Sequence, residues 1–264
     1  MLFPEHKPSN LVQTIERVAT IFDVMAQSAQ GISLKELSAK VGLPKGTTHR
    51  LLASLAYFGY VRQVSESKNY QLGFKLVELG NRLLDQLDLR AQARPFLIAL
   101  CKRTRETAHL VVLDQNEALY IDKVESDEKP GGLRMVSRIG SRIPVHSSSV
   151  GKVFLAHLSE QDLDTLIKEK GLKKRTENTI CDPKKLKHHL KAIRQKGYAF
   201  DNEENEKGIR CVGAPIFNQQ GRVIAAISIS GPAVRITKKM MQQTLKNEVI
   251  RTALDISREF GYQS

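Results

Sequence analysis

The run Gly140-Ser-Arg-Ile-Pro144-Val-His146-Ser147-Ser148-Ser149-Val150-Gly151-Lys152 is rich in small and hydroxyl-bearing residues and leads into a helical pattern. Free N–H groups at the start of such a helix make an anion site, suited to a small carboxylate. Three later stretches add polar groups. Gly197–Glu204 brings Asp201, Gly208–Ile216 brings Cys211, and Ala225–Pro232 carries Ser228 and Ser230. The two serines lie two apart, so on a strand they share one face, as a polar pocket lining would.

Ser149, His146 and Asp201 are the residue types of a hydrolytic triad. The sequence has no Gly-x-Ser-x-Gly elbow to expose the serine, so no catalytic residue is assigned. Cys211 sits among apolar strand residues, where cysteine acts as a small hydrophobe or pocket lining rather than a nucleophile. The seven histidines show no HExxH and no paired-cysteine spacing, so neither a metal nor another cofactor is expected. His188-His189 reads as solvent-exposed.

A second constellation lies near the N-terminus. Ser33 caps a helix over 33–41, with Glu36 completing a capping box. Gly42-Leu43 makes a turn, and Pro44 suits the first turn of a helix over 44–58. These are the dimensions of a helix-turn-helix. The second helix buries Thr48, Leu51/Leu52 and Leu55. That leaves Lys45, Thr47, His49 and Arg50 exposed near its N-terminus, where they can meet phosphates and base edges in a major groove. Strands over 60–64 and 69–72, joined by the polar turn Ser65–Lys68, add a wing with Lys68 at its tip.

Other elements must hold these groups. An amphipathic helix is expected over 9–28, capped by Ser9, with Val12, Ile15, Val18/Phe22 and Met25 on its apolar face. A helix over 74–87 carries Leu76, Val77, Leu83 and Leu84, with Leu79 at the edge of that face. Gly80 on it predicts either a weakened helix or a closely packed neighbour. The pattern continues into Arg90–Arg105, with the domain boundary near Leu87–Arg90. Strands are expected at 108–113, 117–124, 133–137, 198–201, 209–217 and 222–230, and helices at 148–157, 160–169, 183–196 and 237–260. Strands first and last with helices between them give an α+β domain with a largely antiparallel sheet.

The chain has 264 residues, enough for one large domain or two ordinary ones. Its three cysteines exclude a disulfide scaffold, and a reducing, cytosolic compartment is the default. No apolar run reaches membrane-spanning length, and the N-terminus does not read as a secretory signal. The net charge of +13 suggests a polyanionic partner. It is unevenly placed, because residues 1–88 hold 10 basic against 8 acidic side chains. Residues 168–196 hold 11 basic against 3 acidic ones, as a solvated helical face or a binding surface would.

Three stretches together resemble the IclR-type bacterial transcriptional regulators, over about residues 9–262. They are ISLKELSAKVGLPKGTTHRLLASLAYFGYV (32–61), RIPVHSSSVGKVFLA (142–156) and GYAFDNEENEKGIRCVGAPIFNQQGRVIAAISISGP (197–232). The stretches LRMVSRIG (133–140) and DNEENEKGIRC are most similar to the branch that responds to 2-keto-3-deoxygluconate. The resemblance implies a two-domain α+β protein: an N-terminal winged helix-turn-helix (1–73), a linker helix (74–90) and a C-terminal GAF-like α/β effector-binding domain (91–264). It further implies an operator-binding regulator, more often a repressor, that is a homodimer or tetramer and answers to a small carboxylate. The backbone N–H groups of Ser149 and Val150 would hold that carboxylate, with Asp201, Cys211, Ser228 and Ser230 lining the rest. Val150 stands where some members have a smaller residue, which narrows the pocket. Asp201 beside a carboxylate favours a polyhydroxylated acid whose hydroxyls it can accept from. Pro44 replaces the family's more usual serine. An enzyme with an accessory DNA-binding domain is the alternative from another class, and a protein-interaction module built on the basic 168–196 face is a third.

Overall fold

The computed structural model describes residues 10–85, 88–126 and 137–263. The chain divides into two compact units, Met1–Gln86 and Leu87–Ser264.

The first unit is built from α1 (Gln13–Ala26), α2 (Leu34–Val41), α3 (Lys45–Tyr57), a hairpin of β1 (Val61–Gln63) and β2 (Tyr70–Leu72), and α4 (Lys75–Asp85). Its core joins Ile21 and Met25 of α1, Leu37 of α2, Leu52 and Leu55 of α3, and Val61 and Tyr70 of the hairpin. The apolar face of α1 is therefore set later in the helix than its periodicity suggests. Val12 and Ile15 are exposed, and Val12 rather than Ser9 precedes the first turn. Ser9 lies outside the described residues. Ser33 Oγ accepts from Glu36 N at 3.2 Å, while the Glu36 carboxylate reaches forward to Lys40 at 2.9 Å. Replacing Ser33 with alanine is expected to cost about 1 kcal/mol in urea unfolding. Gly42 ends α2 in the left-handed region (φ 66°), which glycine adopts without a Cβ clash. Pro44 is the N-cap of α3, not part of its first turn, and supplies no side-chain cap. Helix α4 runs unbroken through Gly80, and a Cβ there would meet nothing within 4 Å. The glycine leaves no break in the helix and no neighbour requires it, so its expected effect is the propensity cost alone.

The second unit begins with α5 (Asp88–Thr104) and contains one six-stranded sheet. Its strands are β3 (Thr107–Asp114), β4 (Glu117–Val124), β5 (Arg142–Ile143), β6 (Ala199–Asn202), β7 (Ile209–Phe217) and β8 (Val223–Pro232). The order is β5-β4-β3-β8-β7-β6, and every neighbouring pair is antiparallel. The strand expected at 133–137 falls almost wholly outside the described residues, and β5 was not expected. One sheet face packs on α5 and the C-terminal helix, through Leu110, Val212, Ala214, Ile227, Ile229, Leu97 and Ile256 among others. That C-terminal helix is one run: α9 (Lys238–Met240), a π-helical turn over Met241–Leu245, and α10 (Lys246–Glu259).

The other face carries α6 (Ser149–His157), α7 (Glu160–Lys170) and α8 (Pro183–Lys196), through a second core of Val111, Tyr120, Val153, Leu166, Leu186 and Leu190 among others. Helices thus cover both faces of an antiparallel sheet, so that each face buries its apolar residues against a helical layer. Leu186, Leu190 and Ile193 of α8 are buried, and most of its lysines point outward from the opposite side. No helix among the described residues is long and apolar enough to cross a membrane.

Candidate functional site

The first unit presents α3 as the sequence requires. Thr48, Leu52 and Leu55 face the core, with Leu51 half-buried. Lys45, His49 and Arg50 are exposed and Thr47 is half-buried, all in the first two turns. Thr48 Oγ1 turns back to the Pro44 carbonyl at 3.2 Å, which points this threonine inward. With no side-chain cap at Pro44, the leading N–H groups of α3 are free for an external acceptor. Lys68 is exposed at the hairpin tip with φ 56°, in the left-handed region. Its carbonyl accepts from Gln63 Nε2 at 2.9 Å and its N–H donates to Val64 O at 2.9 Å. The hairpin tip is thus tied down beneath the Lys68 side chain.

In the second unit, strand register assembles a polar surface inside the α6–α8 layer. Asp201, Cys211, Ser230 and Thr107 are successive cross-strand partners on β6, β7, β8 and β3. One step along lie Ala199, Gly213, Ser228 and His109. Two-residue periodicity turns both rows to the same face. Ser228 and Ser230 are buried, as are Thr107 and His109. His109 Nε2 bonds Ser137 Oγ at 2.7 Å, and its ring lies 4.8 Å from that of Tyr120.

The N-terminus of α6 abuts this surface. Ser148 caps it, accepting from Gly151 N at 3.1 Å and donating to Pro144 O at 2.7 Å. A Cβ on Gly213 would stand 3.1 Å from both Ser149 Oγ and Val150 N, so glycine lets the helix end lie directly on β7. Ser149 and Val150 are almost completely buried.

Asp201 is buried, and its Oδ1 accepts from Glu204 N at 2.8 Å and Asn205 N at 3.3 Å. Burial raises its carboxyl to about 7. The two backbone donors and the Lys152 ammonium oppose the rise, and the Glu204 carboxylate adds to it. Burial also lifts the Cys211 thiol well above its usual range, although the Ser230 hydroxyl bonds it, so it is a neutral thiol rather than a nucleophile. The Tyr120 phenol is raised too, by burial and then by Cys211, Asp201 and Glu206.

Under the site lies a feature that motif reading missed. Lys152 is wholly buried, and its Nζ holds Glu204 Oε1 and Oε2 at 2.5 and 2.6 Å. The signal was a lone lysine inside the apolar run of α6. Thr107 and His109, two apart on apolar β3, were a similar signal.

The triad types do not converge. His146 Nε2 bonds the Lys173 carbonyl at 3.0 Å, and Asp201 is held by its own loop. No group of three or more His, Cys, Asp or Glu side chains among the described residues could hold a metal. His189 is not solvent-exposed as the sequence suggested. It is half-buried, and Nε2 has no hydrogen-bond partner among the described residues. Burial, then Lys152, Lys196 and His188, depress its ring to about 4, so it is neutral. His188 is exposed.

A model of the IclR helix-turn-helix domain matches residues 14–65, and one described as the bacterial transcriptional regulator IclR C-terminal region matches residues 81–258. The transcriptional repressor IclR of Escherichia coli K12 is 38% identical over 252 residues, 95% of this chain and 90% of that one. The regulator KdgR of the same organism is 37% identical over 257 residues, 97% and 95% of the two chains. Identity therefore does not single out the KdgR-like branch that the stretches at 133–140 and 201–211 resemble. The crystal structure of the Thermotoga maritima IclR is 36% identical and superposes with a TM-score of 0.77, over 94% of this chain and 99% of that one. These relatives are regulators, not enzymes.

Proposed function

The chain belongs to the IclR family of bacterial transcriptional regulators, and from that premise we propose that it represses transcription from an operator it releases when a small carboxylate binds. Residues 1–73 serve as the DNA-binding domain, 74–90 as the linker helix and 91–264 as the effector-binding domain. Lys45, Thr47, His49 and Arg50 enter the major groove, and Lys68 touches the backbone or minor groove beside it. The observation that carries this reading is the division of α3 into a buried side and an exposed, basic, uncapped N-terminal half. Exposed Val12 and Ile15 on and before α1, with Val77 and Leu83 on α4, support a homodimer, which is read as acting in the cytoplasm. A two-fold dimer reads a pseudo-palindrome with half-sites one helical turn apart or a multiple of it.

The effector's carboxylate meets the N–H groups of Ser149 and Val150, and Asp201, Cys211, Ser228 and Ser230 line the rest. The hydroxyls and buried carboxyl favour a polyhydroxylated acid such as a 2-keto sugar acid. Coupling follows from linkage: an acid that prefers one arrangement of the effector domain shifts that equilibrium, and operator affinity changes with it.

The DNA half is tested on a duplex selected from a random-sequence pool. Lys45→Ala and Arg50→Ala should each weaken binding. If the lost contact is to phosphate, the slope of log affinity against log salt should fall by about 0.9. Unchanged affinity in both variants would remove α3 from the interface. The effector half is tested by thermal shift against small carboxylates. A ligand at ~100 times its Kd should add about 2.7 kcal/mol of stability. No shift with any acid, in a protein that binds DNA, would overturn the carboxylate reading.

A further inference from the structure

We propose that Asp201 takes up one proton when an anionic effector binds, so that the site receives the acid and a proton together. The inference rests on the carboxylate reading above and deepens it. Its ground is a count of the charges that the fold brings to this sheet face. Lys152 of α6 approaches from the helix side, and both oxygens of Glu204, in the loop after β6, engage its ammonium. That pair is neutral as a unit. Asp201 stands beside it, and Glu206 of the same loop also bears on this surface. Cys211 of β7, Ser230 of β8 and Tyr120 of β4 complete the surroundings, each neutral at pH 7.

The cation that acts on the Asp201 carboxyl is Lys152, and Glu204 holds it. The titratable rings on the flanking elements are His109 of β3, bonded to Ser137 Oγ, and His146 of the loop before α6, whose ring burial pushes down toward the neutral form. Arg175 Nε is bonded to the Asn205 carbonyl, and the Arg175 side chain is exposed. The incoming carboxylate therefore finds backbone N–H dipoles at Ser149 and Val150, while the Lys152 ammonium is already engaged by Glu204. Two carboxylates sharing a buried site cannot both stay ionised cheaply. Protonating Asp201 removes the conflict. The two backbone donors already occupy Oδ1, so the proton resides on Oδ2 as a hydrogen-bond donor. The free protein is poised for this, since burial holds the Asp201 carboxyl near 7 before any acid arrives. Binding a negative charge raises it further. The balance is simple: ligand carboxylate, Asp201 carboxylate and one solvent proton give the complex with neutral Asp201. Affinity should be flat at low pH and fall about tenfold for each pH unit above ~7.

The test is calorimetric titration of the full chain with 2-keto-3-deoxygluconate, gluconate and pyruvate. Each acid is run at pH 5.5 and pH 8, in two buffers of different ionisation enthalpy. We expect close to one proton taken up per acid bound at pH 8, and almost none at pH 5.5. In Asp201→Asn, whose amide mimics the neutral acid, uptake should vanish and the Kd should stay constant between the two pH values. Asp201→Ser provides a second neutral variant should the amide perturb the loop. Binding to the wild-type chain without proton uptake at pH 8 would overturn the proposal and leave the carboxylate reading intact. Uptake retained in both variants would overturn the assignment to Asp201. If none of the acids binds even at pH 5.5, the carboxylate reading falls and this inference falls with it.

Discussion

Glu204→Gln is expected to destabilise the effector domain by about 3–5 kcal/mol, the usual cost of breaking a buried ion pair from one side. Lys152 has no exposed surface, and both of its short contacts are to Glu204. The amide leaves an ammonium enclosed between α6, the β6–β7 loop and α8, where His189 is neutral and accepts no charge from it. Lys152→Met should cost a similar amount, because it strands the carboxylate instead. The double replacement Lys152→Met with Glu204→Leu removes both charges and keeps the volume. It should recover most of the loss, since well-packed apolar residues often match or exceed a buried pair. Urea unfolding of these variants and of Glu204→Leu at pH 7 closes the cycle. A single-variant cost below about 1 kcal/mol would mean that the ammonium reaches water and the pair is not desolvated as described. The pair also joins the helix that presents Ser149 and Val150 to the loop that carries Asp201. The single variants should therefore weaken effector binding more than the double variant does.

Much of the fold was legible because its signals were local. Ser33, Gly42 and the apolar spacing of α2 and α3 mark a helix-turn-helix without help from distant residues. The phase of α1 was not legible. Val12, Ile15, Ile21 and Met25 all fit a helical stripe, and only packing against α2 and β2 decides that Ile21 and Met25 are the buried pair. The candidate effector site was half legible. Ser228 and Ser230 announce themselves by two-residue spacing. Thr107 and His109 join them only through the β3–β8 register, which pairs residues more than a hundred positions apart. Lys152 was visible as an oddity in an apolar helix, but its partner lies 52 residues away in a loop. His189 was misjudged because a basic helix reads as solvated all round, whereas tertiary packing buries one edge of it.

Gly151→Ala should damage the effector domain most selectively. A Cβ built there lies 2.3 Å from Val145 Cα, 2.4 Å from Val145 O and 2.6 Å from Val145 C. These are backbone atoms of the loop that delivers His146 and the serine run, so no flexible side chain can move aside. The clash has to be relieved by moving the α6 N-terminus away from that loop. This stretches the Ser148 Oγ bond to Gly151 N and displaces the N–H groups of Ser149 and Val150 from β7. Overpacking of this kind costs about 3 kcal/mol, or more where backbone meets backbone. The expected result is a lowered melting temperature and no thermal shift with acids that stabilise the wild type. Duplex binding should persist, because the first unit has a core of its own. Gly80→Ala is the matched control. Nothing lies within 4 Å of its Cβ position, and the residue sits mid-helix in α4. That change should stabilise by about 0.5–1 kcal/mol through helix propensity alone. If Gly151→Ala melts and responds like the wild type, α6 does not press on the loop as described, and the anion-binding geometry at Ser149 and Val150 loses its footing.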